Sequence, residues 1–385
     1  MLKSQRRNVS EDPQTIRRSS SRLSSTDELL LNIPIDVIID IFSRLPLKSI
    51  ARCGCVSKRW ASLCLTKSLV RPQLLFARQK ENEVLFSSSP QPQNFGENVS
   101  LIATNHVRFP VEHVYDISSS FNGYLCISHY RILDGIKTRE LVSMICNPST
   151  KQSFTLPKMK TRKMTAMRSF LGYDPVEKQY KVLATILDKS GVDHQCCGPS
   201  SSYINRTLEP HYDLGPDYIC INGVFFYMAS ASSYNDTLVC FDVRSEKYSF
   251  VNFMERGMLP ATLINFQGKL ALVKSSAPSF LSGISASLEM WILEDPEKHE
   301  WSKRIFILPP MWKDAPAKEF LQFVGVTATN EFAFAHPFPS DIFHVYYYIF
   351  VKEVITRVEI QGMGAFEKVS RVHIFLNHVE DVKLM

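Results

Sequence analysis

Two small groups of residues have types that could hold a metal or attack a substrate. His194 lies close to Cys196 and Cys197, and Cys53 lies close to Cys55 and Cys64. Imidazoles and thiolates are good zinc ligands, but a structural zinc site needs four of them in paired spacing, and neither group completes such a set. No metal and no cofactor is expected. The chain also lacks a glycine-rich phosphate loop, a nucleophile elbow and a His-Glu-x-x-His helix. Enzymatic readings lose most of their weight. Its nine cysteines are odd in number and irregularly spaced, which suits reduced thiols in the nucleus or cytoplasm better than a disulfide framework.

Any site must be positioned by a folded scaffold, and 385 residues with 45% hydrophobic content can bury a sizeable core in one large domain or two smaller ones. The longest apolar run, around Ile342–Val351, is interrupted by His344 and three tyrosines, short of the roughly 20 apolar residues that cross a bilayer. No membrane partner is expected. The formal charge of +6 is modest, and residues 1–26 hold Lys3, Arg6, Arg7, Arg17, Arg18 and Arg22 against Glu11 and Asp12. That Ser- and Arg-rich stretch has almost no apolar periodicity and is read as a disordered tail.

Residues 27–66 have helical spacing and predict three short helices. Pro34 suits a helix start. Val37, Ile38, Ile41, Phe42 and Leu45 form an apolar stripe opposite Asp36, Asp40 and Arg44, and Pro46 stops the helix. Leu47–Cys53 reads as the second helix, ended by Gly54. Ser57 reads as the N-cap of a third carrying Trp60, Leu63 and Cys64. So many apolar side chains in roughly 40 residues can barely be buried internally, so a partner surface is expected. The third helix offers only Lys58 and Arg59 as groove contacts, which argues against nucleic acid.

From about Leu74 to the C-terminus the pattern is one of short alternating runs rich in Phe, Tyr, Val and Ile, broken by turn signals, an all-β signature, with 67–110 read as linker and first β elements and 111–360 as the main β domain. Residues 361–385 are read as a C-terminal extension. A phrase recurs: Tyr173-Asp174 to Tyr180, Phe241-Asp242 to Tyr248 and Glu294-Asp295 to Trp301 each place an aromatic six residues after the Asp, with Asn147 to Phe154 a looser copy at seven. Asp or Asn can accept a hydrogen bond from backbone two residues on, and the aromatic then pins the hairpin register. Ahead of three of these stand Asn122-Gly123, Asn222-Gly223 and Gln267-Gly268, where Gly can supply positive φ. Two turns per unit imply about four strands per unit, the logic of a β-propeller. Leu187–Gly215 reads as an inserted loop. Trp301 is assigned to the core by its repeat position, and Trp312, in the Pro309-Pro-Met-Trp-Lys-Asp-Ala-Pro stretch, is a substrate-binding candidate on a loop.

The run Ile33-Pro34-x-Asp36-x-Ile38-x-x-Ile41-x-x-Arg44-Leu45-Pro46-x-Lys48-Ser49-x-x-Arg52-x-x-x-Val56-Ser57-Lys58-x-Trp60 resembles a plant-type F-box. The downstream phrases Asn147-Pro-Ser-Thr, Gly172-Tyr-Asp-Pro and Cys240-Phe-Asp-Val-Arg-Ser-Glu-Lys-Tyr, with Leu293-Glu-Asp and Trp301, resemble the plant F-box-associated domain. The resemblance implies an α+β multidomain chain, a three-helix F-box followed by a β-propeller-like (kelch-like) domain. It also implies a non-catalytic, substrate-recognition role in a Skp-cullin-F-box ubiquitin ligase. The partners would be a Skp-type adaptor, through it a cullin and a RING subunit, and a protein substrate. Carried onto this sequence, the adaptor contact falls on Ile33, Pro34, Ile38, Ile41, Leu45, Pro46, Leu47, Ile50, Val56 and Trp60. Ile33 departs from the usual Leu, and Cys53-Gly54 from the usual apolar and basic pair. The alternative function is a glycan- or small-ligand-binding propeller with a degenerate F-box.

Overall fold

The computed structural model describes residues 34–43, 49, 52–53, 72–92, 95, 99–111, 113–118, 121–132, 139–157, 166–188, 191–197, 204–207, 212–232, 235–253, 255, 261–275, 287–309, 321–339, 342–364 and 371–379. The chain divides into two units, residues 1–69 and 70–385. In the first, the helix Ile35–Ser43 is described, and Ser49, Arg52 and Cys53, within the expected second helix, are also helical. The expected third helix and the tail 1–26 lie outside the described residues.

Among the described residues the second unit contains six sheets, antiparallel but for one edge strand. From the innermost strand outward, sheet two is Val114–Ile117, Leu125–Ile132, Arg139–Asn147 and Gln152–Thr155. Sheet three is Ala166–Asp174, Gln179–Asp188, Gly191–Cys197 and Ile204–Thr207. Sheet four is Tyr212–Ile221, Val224–Ser232, Asn235–Asp242 and Lys247–Asn252. Sheet five is Thr262–Phe266, Lys269–Ser275, Ser287–Asp295 and Glu300–Ile307. Sheet six is Gln322–Val326, Phe332–Ala335, Phe343–Ile349 and Val354–Gln361, with Val99–Ile102 added in parallel at its edge. Sheet one combines both ends of the unit: Val372–His378 pairs with Gln73–Lys80, followed by Glu83–Pro90 and Thr104–Pro110.

A separate apolar cluster fills each of the six junctions between successive sheets, including that between sheets six and one, so the ring closes. This arrangement buries both faces of strands in the middle of a sheet, where the sequence pattern suggests alternation. In Val224–Ser232, Phe225, Tyr227 and Ala229 pack toward sheet three while Phe226 and Met228 pack toward sheet five. Phe343–Ile349 does the same, with Tyr347 facing sheet one and Tyr346 and Tyr348 facing sheet five. A strand buried on both faces has no polar face to alternate with.

Each Gly turn named in the sequence joins the first two elements of its sheet. Asn122 and Gly123 have φ of 48° and 85°, Asn222 and Gly223 of 49° and 83°, Gln267 and Gly268 of 54° and 84°. Two successive left-handed residues make the tight turn whose twist matches the flanking strands. The Asp and Asn turns share one construction. Asp174 Oδ1 accepts from the backbone N–H of Val176 and Glu177, Asp295 Oδ1 from Glu297 and Lys298, and Asn147 Oδ1 from Ser149 and Thr150. Asp242 Oδ1 accepts from Ser245.

The structure changes the sequence-based expectations in four places. Asn147 pairs with Gln152 just as Asp242 pairs with Lys247, so the turn at Asn147 is no longer than the others. Its aromatic, Phe154, has shifted one residue along the strand. Such a shift moves a side chain to the other face, and Phe154 is 46% exposed. Asp174 differs in position: its turn joins the first and second strands of sheet three, where the neighbouring sheets place a Gly turn. Leu187–Gly215, read as an insertion, supplies the outer strands of sheet three and the start of sheet four. Finally, residues 73–80, 83–90 and 104–110, within the stretch read as linker and first β elements, form one sheet with 372–378, from the stretch read as an extension, while Val99–Ile102 joins sheet six.

Tyr347 is fully buried, and its hydroxyl finds no hydrogen-bond partner among the described residues. Burial also pushes its ionisation far above the ordinary tyrosine range. An unpaired buried hydroxyl costs about 1–3 kcal/mol of desolvation, so Tyr347→Phe is expected to stabilise the protein by about 1 kcal/mol. Urea denaturation of both forms checks this, and a lower midpoint in the variant would count against it.

Candidate recognition site

The six innermost strands surround a central channel. A cavity of about 190 Å³ lies where three of them begin, bordered by Tyr218 within the innermost strand of sheet four, Thr262 and Leu263 of sheet five, Gln322 to Val324 of sheet six and Arg371 to Phe375 of sheet one. The expected connection for Trp312, residues 308–320, ends at Leu321, beside this cavity. Trp312 itself lies outside the described residues.

Two polar features stand out in the wall. His373 is held neutral, its pKa lowered to about 4 by burial and then by the Arg371 charge. Arg371 is exposed and forms no ion pair with a described residue. Apolar neighbours Leu263, Phe323, Val372 and Phe375 are buried around them. The sequence could not flag this group, since its members sit on different strands, far apart in the chain, with no shared spacing.

At the other end of the inner strands, the turns interlock. Asn222 Nδ2 donates to the Gly268 carbonyl at 3.3 Å, joining sheets four and five. A Cβ placed on Gly223 would come within 2.9 Å of Pro175 Cδ. Asn377, with φ of 54°, binds three neighbours: its Oδ1 accepts from Ala328 N–H at 2.8 Å and from Gln91 Nε2 at 3.0 Å, and its Nδ2 donates to the Val326 carbonyl at 2.9 Å.

In the first unit, the apolar stripe of the helix Ile35–Ser43 splits into two rows. Ile38 and Phe42, one turn apart, are buried at 2% and 1% exposure. Val37 and Ile41 form the next row and are 44% and 48% exposed, with Ile35 at 49%. Among the residues assigned to an adaptor contact, Pro34 and Ile41 are therefore exposed and Ile38 is interior. The sequence missed Ile35 and Val37 as exposed apolar positions, because helical periodicity marks a stripe without saying which of its rows is covered. Ile33, Leu45, Pro46, Leu47, Ile50, Val56 and Trp60 lie outside the described residues.

Trp301 is partly buried against the cluster between sheets four and five, its Nε1 donating to the Asn252 carbonyl at 3.1 Å. Trp291 is buried in the same cluster with Lys303 over its ring. Cys126, Cys146, Cys220 and Cys240 are buried free thiols. Burial raises Cys220 to about 11 and Cys240 to about 12, so both stay protonated and unreactive at neutral pH. His194, Cys196 and Cys197 fall on the strand Gly191–Cys197, and their side chains lie outside the described ones; among the described residues no group of His, Cys, Asp and Glu is placed to hold a metal.

The second unit is thus a six-sheet propeller closed by its own C-terminal strand. Residues 73–379 match the F-box associated beta propeller domain family, and residues 30–71 match the F-box domain. The chain belongs to the F-box proteins that carry this propeller. It is 47% identical to F-box protein DOR of Arabidopsis thaliana over the full length of both chains. To F-box protein At5g65850 of the same plant it is 41% identical, covering 100% of this chain and 99% of that one. Among solved structures, TolB from Acinetobacter baumannii aligns with a TM-score of 0.47 at 10% identity, over 83% of this chain and 70% of the other. No helix among the described residues is long and apolar enough to cross a membrane.

Proposed function

We propose that this protein is the substrate-recognition subunit of a Skp-cullin-F-box ubiquitin ligase, acting in the nucleus or cytoplasm. Its F-box binds a Skp-type adaptor and through it a cullin and a RING subunit, and its propeller binds a protein substrate. The chain itself carries out no chemistry. The observation that carries the reading is the joining, in one chain, of an F-box sequence with a closed propeller of its associated family. The exposed Val37 and Ile41, one row of the helix, and Ile35 at its start support it, since uncovered aliphatics on a short helix are what a partner would bury.

Burying one aliphatic side chain contributes about 1.5–3 kcal/mol, and replacing it by a carboxylate adds a desolvation cost. Ile41→Asp is thus expected to weaken adaptor capture by at least about thirtyfold. Because Ile41 is exposed, the variant should keep its fold. Pull-down of wild type, Ile41→Asp and a Leu45→Asp, Trp60→Ala double variant, scored for adaptor and cullin, tests this. Failure of the wild type to capture the adaptor would sink the reading.

A further inference from the structure

We propose that the mouth of the central channel receives an anionic side chain of the protein substrate, with Arg371 as its charge partner and Thr262, Gln322 and Tyr218 as hydrogen-bonding neighbours. This rests on the reading that the propeller binds a protein, and it adds the chemistry of what is recognised.

The size of the cavity comes first. At about 190 Å³, it falls below the roughly 300–1,000 Å³ that enclose a drug-sized ligand. It suits the end of one side chain. Charge comes next. Among the described residues the cavity wall contains Arg371 and His373 and no carboxylate, and no carboxylate among them pairs with Arg371 elsewhere. A cation without a partner, at the rim of a pocket with buried apolar walls, attracts an anion more strongly than one on an open surface. Guanidinium also suits carboxylate and phosphate alike, through its two-pronged donor geometry.

The neutral His373 leaves Arg371 as the cation and adds a ring that can donate to or accept from the incoming group. Thr262 and Gln322 are only partly buried, so their polar ends can reach a guest. The surrounding backbone favours a peptide over a free ion. The innermost strand of each sheet has an unpaired edge toward the channel, and such edges bind extended chain through main-chain hydrogen bonds.

The test uses the full chain bound to its adaptor and four pools of fluorescein-labelled nonapeptides. The pools share degenerate flanks and fix the central residue as Glu, Gln, phosphoserine or Lys. Wild type is expected to retain the Glu or phosphoserine pool about tenfold or more over the Gln pool, the scale of one charge-assisted hydrogen bond. Which of those two wins identifies carboxylate or phosphate as the source. Arg371→Gln, at an exposed position, should lose that preference while keeping its melting temperature and its adaptor capture. Equal retention of the Glu, phosphoserine and Gln pools, or a preference that survives Arg371→Gln, would overturn the inference. If no pool binds while the adaptor is still captured, this inference fails alone; if the adaptor is not captured, the ligase reading fails first.

Discussion

A chain ending at residue 370 is expected not to fold, although the removed residues, 371–385, include most of what reads as an extension in the sequence. Val372–His378 is the innermost strand of sheet one, paired with Gln73–Lys80 from Gln73 to Arg78. Val372, Phe375 and His378 are buried at 4%, 9% and 2% exposure. Val372 joins the cluster between sheets six and one, and Phe375 that between sheets one and two. Truncation therefore opens two junctions of a closed ring at once. Each buried apolar side chain is worth about 1.5–3 kcal/mol, and the strand's ladder and the bonds of Asn377 go with it. A loss of that size uses up most of the roughly 5–15 kcal/mol by which a folded protein is stable.

The measurement is a thermal melt followed by near-ultraviolet circular dichroism. The truncated chain should show no cooperative transition, while Asn377→Gly in the full chain should keep one at a lower midpoint. Glycine accepts the left-handed φ of 54° at that residue. The variant therefore isolates three side-chain hydrogen bonds, together worth about 2–4 kcal/mol. A truncated chain that melts cooperatively near the wild-type temperature would show that the ring does not depend on this closure.

This contrast shows where the sequence is legible and where it stops. The turns are legible because their chemistry is local. Asn122-Gly123 and Asn222-Gly223 need φ above zero at both positions, and few residue pairs supply it. The Asp turns are legible for the same reason, since a carboxylate two residues from a free N–H acts alone. What each turn connects is a different matter. Asp174 and Asp242 build the same turn, yet one joins inner strands and the other outer strands, because strand order depends on neighbours far along the chain. Likewise, nothing near Val372–His378 says that its partner lies almost 300 residues earlier. The candidate site is further from view. Arg371, Gln322 and Thr262 become neighbours only when the ring closes. In the F-box, the stripe was readable but not its division into the covered row of Ile38 and Phe42 and the open row of Val37 and Ile41.

Gly172 is a second place where a large effect is expected, and its cause is packing rather than closure. It belongs to the phrase Gly172-Tyr-Asp-Pro, but the turn that follows does not explain it. Its φ is not in the left-handed region, so backbone freedom is not the reason for glycine. The reason is its neighbour in sheet four. A Cβ on Gly172 would lie 2.4 Å from Phe225 Cζ and 2.7 Å from Cε2, well inside van der Waals contact. The Phe225 ring is fully buried in the cluster between sheets three and four, within 6.2 Å of Phe241, and has little room to retreat. Glycine lets the sheets approach this closely.

Overpacking a tight core costs about 1–3 kcal/mol, and Gly172→Ala is expected at the upper end of that range. Gly172→Leu should prevent stable folding, since it adds three further carbons where one already clashes. A double-mutant cycle separates this account from a simple strand effect. Phe225→Leu trims the ring that meets the new methyl group, so Gly172→Ala should cost about 1–2 kcal/mol less in that background than in the wild type. Urea denaturation of the four proteins provides the numbers. An equal cost in both backgrounds would mean that the glycine is required for something other than the approach of Phe225.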